Sequence, residues 1–257
     1  MRDLGGRLFI GLAAVAAGVM ALGYAFIFSG IAAPSDSFGT VEVPAAGQVV
    51  AARLADGRPV FVGAGGGAAW VLDAREPRES GELDVLLGWC PTDQAFVGTR
   101  PTSIFAADGS VLRRDGTGMT AYATTPAGGD TSRLRVEAQT SVRPVAAEER
   151  MLQYTCDPGD WIAHRAQPDE VFDPSVAVDQ EPPGWIWLSG TLVAAGDEIA
   201  LCDGASSACE RSAPVRGIDP AKVTATHGGR VAGTFIGRVR DGALEGLILV
   251  PDLGGSS

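Results

Sequence analysis

The sequence predicts an all-β protein carried on one N-terminal membrane-spanning helix, and three observations carry that prediction. Residues 8–31 form an apolar run without a single charge. Beyond residue 34 no apolar period of 3.6 residues lasts more than about two turns, whereas short runs of Val, Ile, Leu and Phe recur. Those runs are punctuated at Asp56-Gly57, Asp108-Gly109, Asp115-Gly116, Asp203-Gly204 and Asp241-Gly242. Such pairs supply the positive φ values of tight hairpin turns. With 46% apolar and 20% charged residues the chain is too hydrophobic to stay disordered, and its 35 Gly and 16 Pro fit a turn-rich fold.

The first element is the anchor, LFIGLAAVAAGVMALGYAFIFSGI, from Leu8 to Ile31. As a helix it is long enough to cross the roughly 30 Å hydrocarbon core of a bilayer. Arg2 and Arg7 precede it, Asp3 partly offsets them, and Ser35, Asp36 and Glu42 follow. The excess of positive charge before the span places the N-terminus in the cytoplasm and everything after it outside. A cleaved signal peptide is the competing reading. The run exceeds an ordinary signal core, and cutting after Ala33 would leave Pro34 directly behind the bond. Residues 1–34 are therefore read as a cytoplasmic N-terminus and a single-pass anchor in the cell membrane.

Residues 35–156 read as a first β-domain. Val49 to Leu54 and Pro59 to Val62 turn about Asp56-Gly57, and a third strand, Ala69 to Leu72, follows a glycine run. Short strands are expected around Leu86 to Trp89, Ser103 to Phe105, Val111 to Leu112 and Thr120 to Tyr122. The stretch from Thr124 to Gln139 reads as a further hairpin about Gly128-Gly129-Asp130, and Val145 to Gln153 is able to form one short helix. Residues 157–184, rich in proline and acidic residues, look like a connection. Residues 185–257 resume the strand pattern as WIWLSGTLV, EIALC, APVRGI, RVAGTFIGRV and ALEGLILV. Five strands in so short a segment suggest a second small β-domain, an OB-like, partly open barrel. A single larger sandwich is the alternative.

Charge narrows the partners. The chain has 20 Lys+Arg against 31 Asp+Glu, a formal charge of −11, and Lys222 is its single lysine. Setting aside Arg2, Arg7 and Asp3 leaves 18 basic against 30 acidic residues in the outer portion. Nucleic-acid binding is excluded as a function class, because no surplus of positive charge is available to neutralise phosphates. Cys90, Cys156, Cys202 and Cys209 make an even number in a segment expected outside the cytosol, where disulfides persist. Cys202 and Cys209 enclose a short loop between two apparent strands and are expected to pair. Cys90 with Cys156 is then what remains. A metal site lacks any Cys-x-x-Cys pair, and His164 and His227 are not at ligand spacing from each other.

Other motifs point to structure rather than chemistry. The glycine run Gly63 to Ala69 leads into a strand, where a dinucleotide-binding motif requires a helix. Neither His164 nor His227 lies near a strained nucleophile turn. Asp157, Asp160, Asp169, Glu170 and Asp173 lack a calcium-loop spacing and read as a solvated linker. Trp185 and Trp187 alternate along one strand face, with Ile186 and Leu188 on the other. Packing against a neighbouring sheet is the expected fate of that face, and a docking surface for a partner protein is the alternative.

The hairpin VVAARLADGRPVFVGAGGGAAWVLDA, then LLGWC, then TSIFAADGSVL, in that order and spacing, resemble a Rieske domain from about Val41 to Thr125. The likeness implies an antiparallel β-sandwich that normally holds a two-iron, two-sulfur cluster on two loops. The family places Cys-x-His in the first loop and Cys-x-x-His in the second, two thiolates on one iron and two imidazoles on the other. Here Cys90 matches the first cysteine, Thr92 stands at the first histidine, and the second pair falls on Gly98 and Pro101. Three of the four ligands are absent, so the resemblance implies a Rieske-like fold that has lost its cluster and takes no cofactor.

The expected function is that of a non-catalytic, membrane-anchored accessory or scaffold subunit of a membrane protein complex, with the lipid bilayer and a protein as its partners. Gly11, Ala14, Gly18 and Ala21 would let another helix approach the anchor closely. Two other expectations stand beside it. One is an electron carrier whose cluster has unusual ligands, with Cys90 and Cys156 as thiolates. The other is an extracytoplasmic module for a small ligand or lipid, for which the sequence offers no convergent polar set.

Overall fold

A computed structural model describes residues 37–99, 103–113, 116–146, 170–204 and 209–251. The expected anchor over 8–31, most of the short helix expected over 145–153, Cys156 and His164 lie outside the described residues. Among the described residues no helix is long and apolar enough to cross a membrane. They are mostly strand, with two short helices, as the all-β reading expects.

The first sheet has six strands: β1 (Ser37–Glu42), β2 (Val49–Arg53), β3 (Pro59–Gly65), β4 (Ala68–Asp73), β9 (Thr120–Ala127) and β10 (Asp130–Val142). Their order is β1-β10-β9-β4-β3-β2. β2 and β3 form the expected hairpin, with Val50 opposite Val62 and Gly57 at φ +85° in the turn. The sheet curls, because Ala55 N–H donates to Phe38 C=O at 2.9 Å and so joins its two edges at one end. Period-2 alternation then sends side chains to two cores. Val60, Val62, Val71, Tyr122 and Val136 fill the inside of the curl, while Phe61 and Leu72 point outward.

Between β4 and β9 the chain makes β5 (Asp84–Val85) and a small antiparallel sheet of β6 (Gly88–Cys90), β7 (Ala95–Val97) and β8 (Ile104–Ala106). The expected strand at Val111 to Leu112 is reduced to isolated bridges from Val111 to Phe105 and Val145. β7, too short to alternate visibly, had no sequence counterpart.

The remaining strands are β11 (Val171–Phe172), β12 (Ile186–Ala195), β13 (Glu198–Asp203), β14 (Ser212–Arg216), β15 (Arg230–Arg240) and β16 (Ala243–Val250). β12, β13, β14, β16 and β15 pair in that order, and β15 pairs back onto β12, which closes a five-stranded ring. β14 and β16 run parallel and the other ring pairs antiparallel. Two helices supply the rest: α1 (Pro174–Gln180) and α2 (Pro220–His227). Their Ala177 and Val223 are buried among the ring's inward residues, Leu188, Leu192, Leu201, Phe235 and Leu244.

β11 and α1 stand where the sequence suggested a plain connection. Asp173-Pro174 sets the helix start, since proline's fixed φ suits the first turn and its missing N–H is not needed there. Seven residues, about two turns, are too few to show a periodic apolar run. The described residues from Phe38 onward fall in one compact unit. A third core explains why. Phe61 and Leu72 of the first sheet, Trp89, Phe96 and Phe105 of the small sheet, and Trp187, Ile236 and Ile248 of the ring pack into one cluster.

Candidate functional site

The small sheet carries the two loops where the sequence resemblance places its altered ligand positions. The first is the turn Pro91–Gln94 between β6 and β7. Cys90 at its base is wholly buried and disulfide-bonded. Cys156, its expected partner, lies outside the described residues. Gln94 holds φ +49° and its side-chain N–H donates to Pro91 C=O at 2.7 Å, which fixes the turn. Thr92 is exposed. Beneath the turn lies an aromatic layer, with Phe96 4.7 Å from Trp89 and 4.8 Å from Phe61 between ring centres, and Trp70 meeting Phe96 edge-on.

The second loop leaves β7 at Gly98, whose N–H donates to Ser103 C=O at 2.8 Å. A Cβ on Gly98 would lie 2.6 Å from the Ser103 Cβ and 2.8 Å from the Glu76 carboxyl, so no side chain fits there. Glu76 occupies that space. It is 1% exposed and accepts from Arg78 Nε at 3.1 Å and from the Thr99 hydroxyl at 2.9 Å. Arg78 Nη2 also donates to the Thr99 hydroxyl at 2.7 Å. Burial alone would push the Glu76 carboxyl up, but hydrogen bonds from Ser103, Arg78 and Thr99, with the Arg78 charge, hold it below its ordinary value.

The residues present do not fit a two-iron cluster. Cys90 is already bonded to sulfur, Thr92 offers an alcohol in place of an imidazole, Gly98 has no side chain, and Pro101 lies outside the described residues. His227 sits in the last turn of α2, partly buried, with burial and the Arg78 charge lowering its pKa. Among the described residues no group of His, Cys, Asp or Glu is placed to hold a metal ion.

A polar cleft of about 280 Å³ opens beside Glu76 and Arg78, lined also by Asp73, Arg75, Asp84 and Thr120. Asp73 is 2% exposed and forms the hub. It accepts Arg75 Nε at 2.9 Å, Arg75 Nη2 at 2.6 Å and the Tyr122 hydroxyl at 3.0 Å. Tyr122 in turn accepts from Arg58 Nη1 at 3.2 Å, and Arg75 Nη1 reaches Asp84 at 3.2 Å. Burial, then the Asp73 charge, push the Tyr122 phenol up to about 12, so it stays a hydrogen-bond donor. Burial raises Asp84 more than Arg75 lowers it. The charges of the cleft are satisfied within it. Asp84 belongs to β5, so the network ties the first sheet to the strand that joins the ring. No protein-family model matches the chain, and no curated protein matches its sequence.

Two sequence-marked features find their places in the ring. Cys202 and Cys209 are bonded, as expected. Trp187 is 5% exposed in the shared core, with Trp185 packed against the same cluster, while Ile186 and Leu188 face the ring's interior. The tryptophan face is thus covered by the first sheet. Sequence reasoning missed Asp73, Arg75, Glu76 and Arg78. The segment DAREPRES was a charge-rich stretch without motif spacing, and only burial distinguishes it from a solvated loop.

Proposed function

We propose that this chain is a membrane-anchored, extracytoplasmic accessory or scaffold subunit of a membrane protein complex, with no catalytic role. Its first part is a Rieske-like domain without a cluster, and its second an OB-like barrel. The observation that carries this reading is the second loop. There the buried Glu76–Arg78 pair fills the space beside Gly98, so the loop is held by a carboxylate and a guanidinium. The small sheet with its two loops, inserted between β4 and β9 of a larger sheet, supports the Rieske-like part. Supporting the OB-like part is the ring, in which the third and fifth strands are parallel neighbours and a helix joins the third to the fourth. The anchor rests on the uncharged run 8–31 with Arg2 and Arg7 before it. Cys90 with Cys156 completes the proposed set of disulfides.

The test is metal analysis with visible absorption and low-temperature electron paramagnetic resonance on the full chain, purified anaerobically in mild detergent, beside a free-thiol count. No iron and no free thiol are expected, with the chain migrating in a larger assembly on native gels of its own membrane. Stoichiometric iron with a reducible signal overturns the reading and makes the chain an electron carrier. Migration as a lone monomer overturns the subunit role.

A further inference from the structure

We propose that the open end of the first sheet's curl is a binding site for a small, uncharged apolar molecule. The inference does not depend on the role proposed above. β4 pairs with β3 along its whole length but with β9 only at Val71 and Leu72, so beyond those residues the β3–β4 and β9–β10 hairpins run on without pairing to each other. A cleft of about 430 Å³ lies there, lined by residues of both hairpins. It reaches the inside of the curl. Leu134, which lines it, belongs to the core that fills the curl, and Val43 and Ala69 pack against that core. Residues 64–69 supply most of the remaining lining.

The chemistry of the lining selects the ligand. No charged side chain lines the cleft, and Thr131 supplies its single hydroxyl. Residues 59–72 hold no charged, amide or hydroxyl side chain at all, although the hairpin tip at residues 65–68 is exposed, where a turn ordinarily carries polar residues. The lining is also bare for a reason that local structure does not supply. Gly63, Gly118 and Gly237 have no positive φ, but a Cβ on them would run into Trp70, Arg143 and Leu247. Gly65 has no positive φ either, and a Cβ on it would meet nothing within 4 Å, so neither backbone nor packing demands glycine there. Gly66 holds φ +60°, yet Asp241 takes φ +49° in the turn between β15 and β16, so a polar residue was open to that position too. What these glycines leave is room. At roughly 30 Å³ for each water-sized group, the cleft takes a ligand of about a dozen non-hydrogen atoms. A preformed apolar cleft of this size at the mouth of a curled sheet is the usual setting for such a ligand.

Photolabelling of the full chain in lipid nanodiscs, which carry no free detergent to compete, tests the site. The probe is 3-trifluoromethyl-3-phenyldiazirine, uncharged and close to the size of the cleft. On illumination it loses dinitrogen and its carbene inserts into the nearest bonds, so peptide mapping by mass spectrometry reads where it sat. Labelling of residues 64–69 and 126–134 is expected to saturate with probe concentration and to be displaced by decan-1-ol, an apolar chain, or by naphthalene, a ring system. Labelling about the exposed Val50 and Val171 should rise without saturating. Gly65→Leu, and independently Ala68→Leu on the same hairpin, should leave thermal melting unchanged and cut labelling at the cleft about ten-fold, because each fills the space the ligand needs. Labelling that does not saturate there, that neither competitor displaces, or that survives both substitutions overturns the proposal. So does a change of oligomeric size on Gly65→Leu without saturable labelling, which would give the cleft to a protein contact.

Discussion

Replacing Glu76 with Gln removes one charge from an ion pair that solvent barely touches, the side chains of Arg78 and Glu76 being 6% and 0% exposed. Breaking a buried pair from one side strands the other charge, which costs about 3–5 kcal/mol. Gln keeps one acceptor for Thr99 and Arg78, so about 3 kcal/mol is expected. For a folded unit of roughly 200 residues that lowers Tm by roughly 6–12 °C. Thermal melting of the detergent-solubilised full chain, followed by circular dichroism and tryptophan fluorescence, reads the loss. The internal control is Glu79→Gln, which breaks the exposed Lys222–Glu79 pair at 3.2 Å and should cost no more than about 1 kcal/mol. Glu76→Met with Arg78→Met removes both charges and should recover most of the loss. If Glu76→Gln costs no more than Glu79→Gln, or if the double variant is worse than the two single changes summed, the second loop is not held by this pair.

The pH dependence has a sign fixed by the same group. The Glu76 carboxyl sits below its ordinary value of 4.5, so its stabilisation is complete above that pH and is lost as pH falls through the lower, folded value; Glu76→Gln should flatten that acid limb of the unfolding curve. Gly57→Ala forces φ +85° on an alanine and sets a Cβ 2.6 Å from Trp185 C=O, so urea denaturation should show a loss of about 2 kcal/mol or more, against about 1 kcal/mol at Gly66, which has φ +60° but open space around it. Trp187→Ala empties part of the shared core and should cost about 3–5 kcal/mol, with both sheets still melting in one transition by calorimetry.

Most of the strands were legible, for a reason that also explains the gaps. Where a strand has one buried face and a turn with fixed φ, as at β2 and β3 about Asp56-Gly57, alternation and the turn residues report on the same geometry. The five ring strands were found likewise. β5, β7 and β11 were not, since two or three residues carry no period, nor was β1, of whose six residues only Val41 is buried. α2 was missed although its boundaries were written in the sequence. Asp219 caps it by accepting from Ala221 N–H at 2.9 Å, Pro220 opens it and Gly228 closes it at φ +64°. Only Val223 of its eight residues is buried, so the apolar stripe sought in the sequence was one residue wide. The Glu76–Arg78 and Asp73–Arg75 pairs were invisible because their members are two residues apart in a loop, and what makes them a buried network is the packing of segments distant in sequence.

The edges of the ring show why its two flanking segments belong to one folding unit. β13 pairs with β12 only from Gly190 onward, which leaves the start of β12 bare on that side, and β11 fills it at Trp187 and Leu188. β14 pairs with β16 only at Leu244 and Glu245, and β5 takes the bare stretch beyond at Ile248 and Leu249. An unfilled sheet edge is a template for another chain. The strand that fills the second gap comes from between β4 and β6, more than a hundred residues earlier, and its Asp84 is tied to Arg75 and through it to Asp73 of the first sheet. At a second contact Trp185 N–H donates to Asp56 C=O at 2.6 Å, with Gly57 and Gly184 leaving no room for a Cβ between the two segments. Sheet and ring are thus joined by a strand, an ion network, a backbone contact and a common core. Freeing one from the other would expose the tryptophan face and two strand edges together, and the physical consequence is a body that presents its surfaces in fixed relation. That is the property the proposed scaffold role requires.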